Sequence, residues 1–154
     1  MNTKIKNADL LNDLIRINND RSEGYKKAAK LIDGKENGLR DLFEDLAAES
    51  AKNASDLQRH VVGEGQKPAE GSTVMGTVYR VWMDLKGSFS GNDRKSILES
   101  CEFGEDAAQK AYEEALSSDT NLTEWEIKII RNQQKSLQDS HNYIKTLRDR
   151  MKVS

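Results

Sequence analysis

The chain has 154 residues, with 24 basic and 26 acidic side chains, a net charge of −2 and no block of like charge. The basic footprint that nucleic-acid binding requires is therefore missing. One proline, 6% aromatic and 32% charged residues favour a helical domain with a well-solvated surface.

The lone cysteine, Cys101, rules out an internal disulfide and fits a reducing compartment. The N-terminal MNTKIKNADLLNDL lacks the apolar run of a secretory signal. No stretch approaches the roughly 18 apolar residues of a membrane span. The expectation is one cytoplasmic domain over residues 1–154, with no membrane and no nucleic-acid partner.

A first helix is predicted from about residue 7 to 33. Leu10, Leu14, Ile17, Arg21, Gly24 and Ala28 follow a 4-3-4-3-4 spacing and make one stripe. Asp33-Gly34 supplies its stop. A second helix is predicted over 37–62, with Leu39, Leu42, Phe43, Leu46, Ser50, Asn53, Leu57 and Val61 on its stripe, and with Gly63 and Gly65 ending it. A turn this short makes the two an antiparallel hairpin.

The segment GEGQKPAEGST, residues 63 to 73, is a loop by its glycines and Pro68. A shorter helix is predicted over 73–89, carrying Val74, Val78, Val81, Trp82 and Leu85. Gly91-Asn92-Asp93 then breaks the chain and caps a helix over 93–116, whose stripe is Ile97, Leu98, Cys101, Glu105, Ala108, Tyr112 and Ala115. Thr123 and Glu126 form a capping box that opens the last helix, 123–150. Its stripe is Ile130, Gln133, Leu137, His141, Ile144, Leu147 and Met151. No segment alternates as a strand beside a hairpin turn. The fold class is therefore all-α, a four-helix bundle with an extra short helix in the connection between the second and third long helices. That connection either runs the length of the bundle, as in ferritin-like topologies, or caps one end.

Arg21 lies on a stripe that faces the core, and a buried charge needs partners. Reflection of the first hairpin through residue 35 sets Arg21 level with Glu49. Reflection of the second through residue 120 sets Glu105 beside Lys135, Gln134 and Gln133. Arg21, Glu49 or Ser50, Asn53, Glu105 and Gln133 are predicted to form one polar layer, with Arg21 and Glu105 as its central pair. Arginine suits this role because its planar fork holds a carboxylate in two parallel hydrogen bonds. The structural reading of such a layer is that it fixes helix register at some cost in stability.

The functional reading is a carboxylate metal centre. A full di-iron site takes a glutamate from each of two helices and Glu-x-x-His from the other two. His60 and His141 are preceded, three residues back, by Leu57 and Gln138, so that site is absent. A reduced site of Glu49, Glu105 and His141, holding iron or zinc, stays open. Cys101, on an apolar stripe, reads as a small buried hydrophobe. No glycine-rich phosphate loop lies between a strand and a helix.

INNDRSEGYKKAA on the first helix, VWMDLKGSFSGND before the third long helix and LESCEFGEDAAQKAYEEAL on it resemble a family of small bacterial four-helix-bundle proteins. The resemblance runs from about Leu10 to Asp149, and Glu23-Gly24, Gly104 to Asp106 and His141 match its pattern. The family is grouped with the ferritin-like folds, so the resemblance implies that fold and no particular chemistry. Asn53 stands where similar proteins carry a histidine.

The combined expectation is a non-enzymatic bundle, binding or structural in role, with a link to stress physiology and with homo-oligomer formation as its mode of action. Self-association rests here on the general tendency of helical bundles to pair. Two alternatives remain open: a degenerate ferritin-like metal-binding or oxidoreductase protein, and a small-molecule binder with its pocket between the helices.

Overall fold

The computed structural model describes residues 3–32, 37–70, 94–118 and 121–153. Four helices account for most of them: α1 Thr3–Leu31, α2 Asn37–Gly63, α3 Arg94–Leu116 and α4 Glu124–Val153. No strand occurs among the described residues. The short helix expected over 73–89 and the stop expected at Asp33-Gly34 lie outside them.

Helix α1 starts earlier than its apolar periodicity indicates. At the predicted start, Asn7 Nδ2 donates to Glu126 Oε1 across the bundle at 3.1 Å. Helix α1 also buries more than one stripe. Leu11, Ile15 and Tyr25 are withdrawn from water beside Leu14, Ile17 and Ala28, because α1 packs on both α2 and α3. The stripe of α2 is buried except for the half-covered Leu42, and the whole predicted stripe of α3 is buried.

Helix α2 closes on a Schellman turn. Gly65 takes φ 77°, a left-handed conformation that glycine adopts without a Cβ clash. Its N–H donates to the Val62 carbonyl at 2.9 Å, and the Gln66 N–H reaches the Val61 carbonyl at 3.0 Å. Beyond the turn the chain lies against α1. Asn12 Nδ2 donates to the Lys67 carbonyl, its Oδ1 accepts from the Ala69 N–H at 2.8 Å, and Ala69 is buried. At the start of α4, Thr123 Oγ1 accepts from the Glu126 N–H at 3.1 Å. Glu126 Oε1 in turn accepts from the Thr123 N–H at 2.8 Å, completing the capping box.

Cross-helix bonds fix the helix directions. Arg21 pairs with Glu49 while Asn18 meets Asn53, so α1 and α2 are antiparallel about residue 35. Asn18 meets Tyr112 while Arg21 meets Glu105, so α3 descends as α1 rises. Helices α3 and α4 are antiparallel through Gln109 with Gln134 and Tyr112 with Gln133. Helices α2 and α3, both antiparallel to α1, are therefore parallel to each other. The end of α2 and the start of α3 lie at opposite ends of the bundle. The chain between Gly63 and Arg94 must link points separated by the length of α3, about 34 Å for a helix of 23 residues. The course of the connection over residues 71–93, expected either along the bundle or as a cap on one end, lies outside the described residues.

Candidate functional site

The polar groups inside the bundle form two tiers. Arg21 centres the first, with no exposed surface. Its Nε and Nη2 donate to the two oxygens of Glu105, Nη2 to Oε2 at 2.9 Å, in the parallel fork geometry that suits a carboxylate. Its Nη1 donates to Glu49 Oε1 at 2.9 Å and to Ser50 Oγ at 2.6 Å. The guanidinium carbon lies 5.1 Å from the centre of the Tyr25 ring, within range of a cation–π attraction. Glu105 is as deeply buried as Arg21, whereas the Glu49 side chain keeps 28% of its surface. From α4, Ser136 Oγ donates to Glu49 Oε2 at 2.8 Å, and Ser140 reaches Oε1 at 3.5 Å. All four helices thus contribute to this tier.

The Arg21 charge in this tier is fixed. Burial works against the guanidinium charge, but Glu105, Tyr25 and Glu49 together outweigh it, and Arg21 is held above its ordinary pKa. Burial pushes the Tyr25 phenol and the Cys101 thiol well up, and the nearby Glu105 adds to both shifts. Cys101 is accordingly a neutral, enclosed thiol without the thiolate character of a nucleophile.

The second tier lies one turn away. Tyr112 donates its hydroxyl proton to Gln133 Oε1 at 2.7 Å and accepts from Asn18 Nδ2 at 2.7 Å. Asn53 Nδ2 donates to Asn18 Oδ1 at 3.4 Å, and Gln133 Nε2 donates to the Asn53 carbonyl at 3.3 Å. Burial pushes the Tyr112 phenol up, partly offset by the hydrogen bond from Asn18. Asn53 and Gln133, assigned by the sequence to the layer of Arg21, sit in this second tier. Asn53 lies three residues beyond Ser50 on α2, and Gln133 is placed by register. Gln109 with Gln134 and Tyr112 with Gln133 centre the α3–α4 hairpin near residue 122, so Gln133 faces Tyr112.

The residues of the reduced metal site do not converge. Glu49 and Glu105 flank the Arg21 guanidinium, which supplies the positive charge between them. His141 lies against Asp106, with Nε2 2.5 Å from Oδ1. These residues do not fit a metal centre built on Glu49, Glu105 and His141. Among the described residues, the group whose potential ligand atoms lie within 4.8 Å of one another is Glu102, Asp106 and His141, on the α3–α4 edge. Sequence reading missed Glu102 and Asp106 in this context. The signal available was their i, i+4 spacing on α3, opposite His141 once the hairpin is centred near 122.

A third polar cluster closes the end where α1 and α4 begin and α2 finishes. His60 Nε2 lies 2.9 Å from Glu126 Oε2, and the ring stacks on Trp125 with centroids 4.5 Å apart. A cleft of about 360 Å³ opens beside it, lined by Asn7, Leu11, His60, Val61, Asn121 and Glu126 among others. The centre of the bundle, where a small-molecule pocket was one expectation, holds the two polar tiers.

No helix among the described residues is long and apolar enough to cross a membrane. No curated protein gives a significant match to the chain. The match to a family covers residues 6–118, which span α1, α2 and α3 with both of the helices that hold Arg21 and Glu105. The chain belongs to the family described as Domain of unknown function (DUF2383).

Proposed function

We propose that this chain is a ferritin-like bundle without enzymatic activity, acting as a binding or structural protein, with an arginine in place of a core metal. The observation that carries this reading is the seat of Arg21. Carboxylate bundles use glutamates from facing helices to hold cations. Here Glu49 and Glu105 also face each other across the core, but the charge they share is a fixed guanidinium. A guanidinium is permanently protonated and offers no open coordination position, so it neutralises the carboxylates without Lewis-acid or redox chemistry. The ferritin-like assignment is supported by the helix directions, antiparallel within each hairpin and parallel between α2 and α3.

The test is iron uptake by the full-length protein under air, with Glu49→Gln and Asp106→Asn alongside. The expected result is no oxidation of ferrous iron beyond the buffer rate and no bound iron that depends on Glu49. Near-stoichiometric iron that is lost in Glu49→Gln and kept in Asp106→Asn overturns the reading.

Self-association is the expected mode of action. Phe103, Tyr143, Val62 and Trp125, each more than half exposed, are the large apolar side chains that such an interface would cover. Sedimentation velocity over a wide concentration range tests it. A monomer throughout, unchanged by Phe103→Glu, removes self-association from the proposal.

A further inference from the structure

In the run Glu102 to Asp106, the acidic side chains divide between two directions. Glu105 enters the core and is spent on Arg21. Glu102 and Asp106, one turn apart, sit on the α3–α4 edge with His141 opposite them. We propose that Glu102, Asp106 and His141 form a surface-edge site for a first-row divalent cation of the zinc or ferrous type.

Two observations point to a cation. The first is the ligand set. Carboxylates at i and i+4 repel each other on a bare helix, whereas a shared cation converts that repulsion into a bidentate grip. An imidazole from the facing helix then selects borderline metals over calcium or magnesium, which prefer all-oxygen shells. The second is the state of His141. Its side chain is only 15% exposed, and both ring nitrogens are shielded from solvent without a hydrogen-bond partner. Nε2 stands 2.5 Å from Asp106 Oδ1, but the approach is not aligned as a hydrogen bond. Nε2 has only this close carboxylate and Nδ1 has no hydrogen-bond partner, so a metal on Nε2 shared with Asp106 turns a misaligned contact into a ligand bond.

The fit needs little movement. Ligands at about 2.0–2.1 Å from a tetrahedral ion stand about 3.3 Å apart. Asp106 has to withdraw by less than about 1 Å from His141 to reach that spacing. Its side chain is 57% exposed and free to rotate by that amount. Three protein ligands leave a fourth position for water or for a group on a second molecule. No hydrogen bond to Nδ1 orients the His141 ring, and bound metals usually depend on such support. The site is therefore weaker than a structural zinc site. It stands apart from the Arg21 core and is independent of the proposal made for that core.

The experiment is calorimetric titration of chelator-stripped, full-length protein with zinc chloride, repeated with cobalt chloride while the visible spectrum is recorded. One equivalent is expected to bind, with cobalt d–d bands of four- or five-coordinate intensity. His141→Ala and Asp106→Asn each weaken binding at least tenfold and abolish the bands, while His60→Ala leaves both unchanged. Asp106→Asn is the deciding variant, because an exposed, isosteric change leaves the fold intact even if His141→Ala does not. Binding that survives Asp106→Asn, that is lost in His60→Ala, or that is absent from the wild type overturns the proposal.

Discussion

Arg21 on α1 and Glu105 on α3 face each other as a two-point pair, both side chains wholly withdrawn from water. The pair joins the two hairpins, since α1 belongs to the first and α3 to the second. Glu49 and Ser50 from α2 take the remaining side of the guanidinium, and Ser136 and Ser140 tie Glu49 to α4. A sliding of any helix by one turn would strand a charge in the core, so this tier selects one register from those that the apolar stripes alone would tolerate.

Removing one partner leaves the other charge buried. Glu105→Ala should destabilise the protein by about 3–5 kcal/mol in urea unfolding, as stranded buried charges do. Replacing both with apolar residues of similar size, Arg21→Met with Glu105→Leu, should recover most of that loss, because it removes both desolvation costs together. A single-variant loss below about 1 kcal/mol, the scale of exposed pairs, would show that the pair is not the constraint described.

Glu49 is a graded comparison. Its side chain keeps 28% of its surface and meets Arg21 at one oxygen. Glu49→Gln retains a hydrogen-bond acceptor and should cost about 1–2 kcal/mol, below Glu105→Gln, by the usual scale for charged hydrogen bonds. Equal losses for the two variants in the same unfolding assay would contradict this ordering.

How far the sequence announced these features depends on the residue. Arg21 was legible because a charge on an otherwise apolar 4-3-4-3 stripe has few explanations, and reflection through a short turn set it level with Glu49. Tyr112 was on the page as a stripe residue, yet its aromatic body already accounted for its burial, and the hydroxyl at the centre of the second tier gave no separate signal. Asn18 was obscured because Ile17, its neighbour, fitted the stripe equally well. Gln133 falls one turn from its expected place because the α3–α4 hairpin is centred near residue 122 and not 120. The same offset hid the approach of His141 to Glu102 and Asp106, which only a correct register brings together.

The capping box at the start of α4 carries more than a local cap. Thr123→Ala removes one acceptor for a helix N–H and should cost about 1 kcal/mol. Glu126 also accepts from Asn7 and contacts His60, and its side chain is buried. Glu126→Ala should therefore exceed Thr123→Ala by about 1–2 kcal/mol, the scale of a buried polar group left unpaired. Equal melting temperatures for the two variants would reduce Glu126 to a helix cap.

Alkaline stability follows from the buried acids. Cys101, Tyr25 and Tyr112 all titrate above their ordinary values in the folded state, chiefly through burial. The unfolded chain releases these protons first, so above the unfolded pKa it binds fewer protons than the folded chain, and stability falls as pH rises. The contribution is complete below about pH 9, where neither state has lost a proton. It begins to fail near 9.0 for the thiol and near 10.0 for the phenols. Each group contributes a slope of about 1.4 kcal/mol per pH unit until its folded pKa is reached. Cys101→Ala should delay the onset of the alkaline fall to the phenol range, while costing some stability at pH 7 through the lost packing. Tyr112→Phe should reduce the slope above pH 10 and, at pH 7, leave Asn18 and Gln133 each short of a partner. Chemical denaturation between pH 7 and 11 checks both. A wild-type curve that stays flat to pH 11 would mean that these groups reach water in the folded protein, contrary to their place in the core.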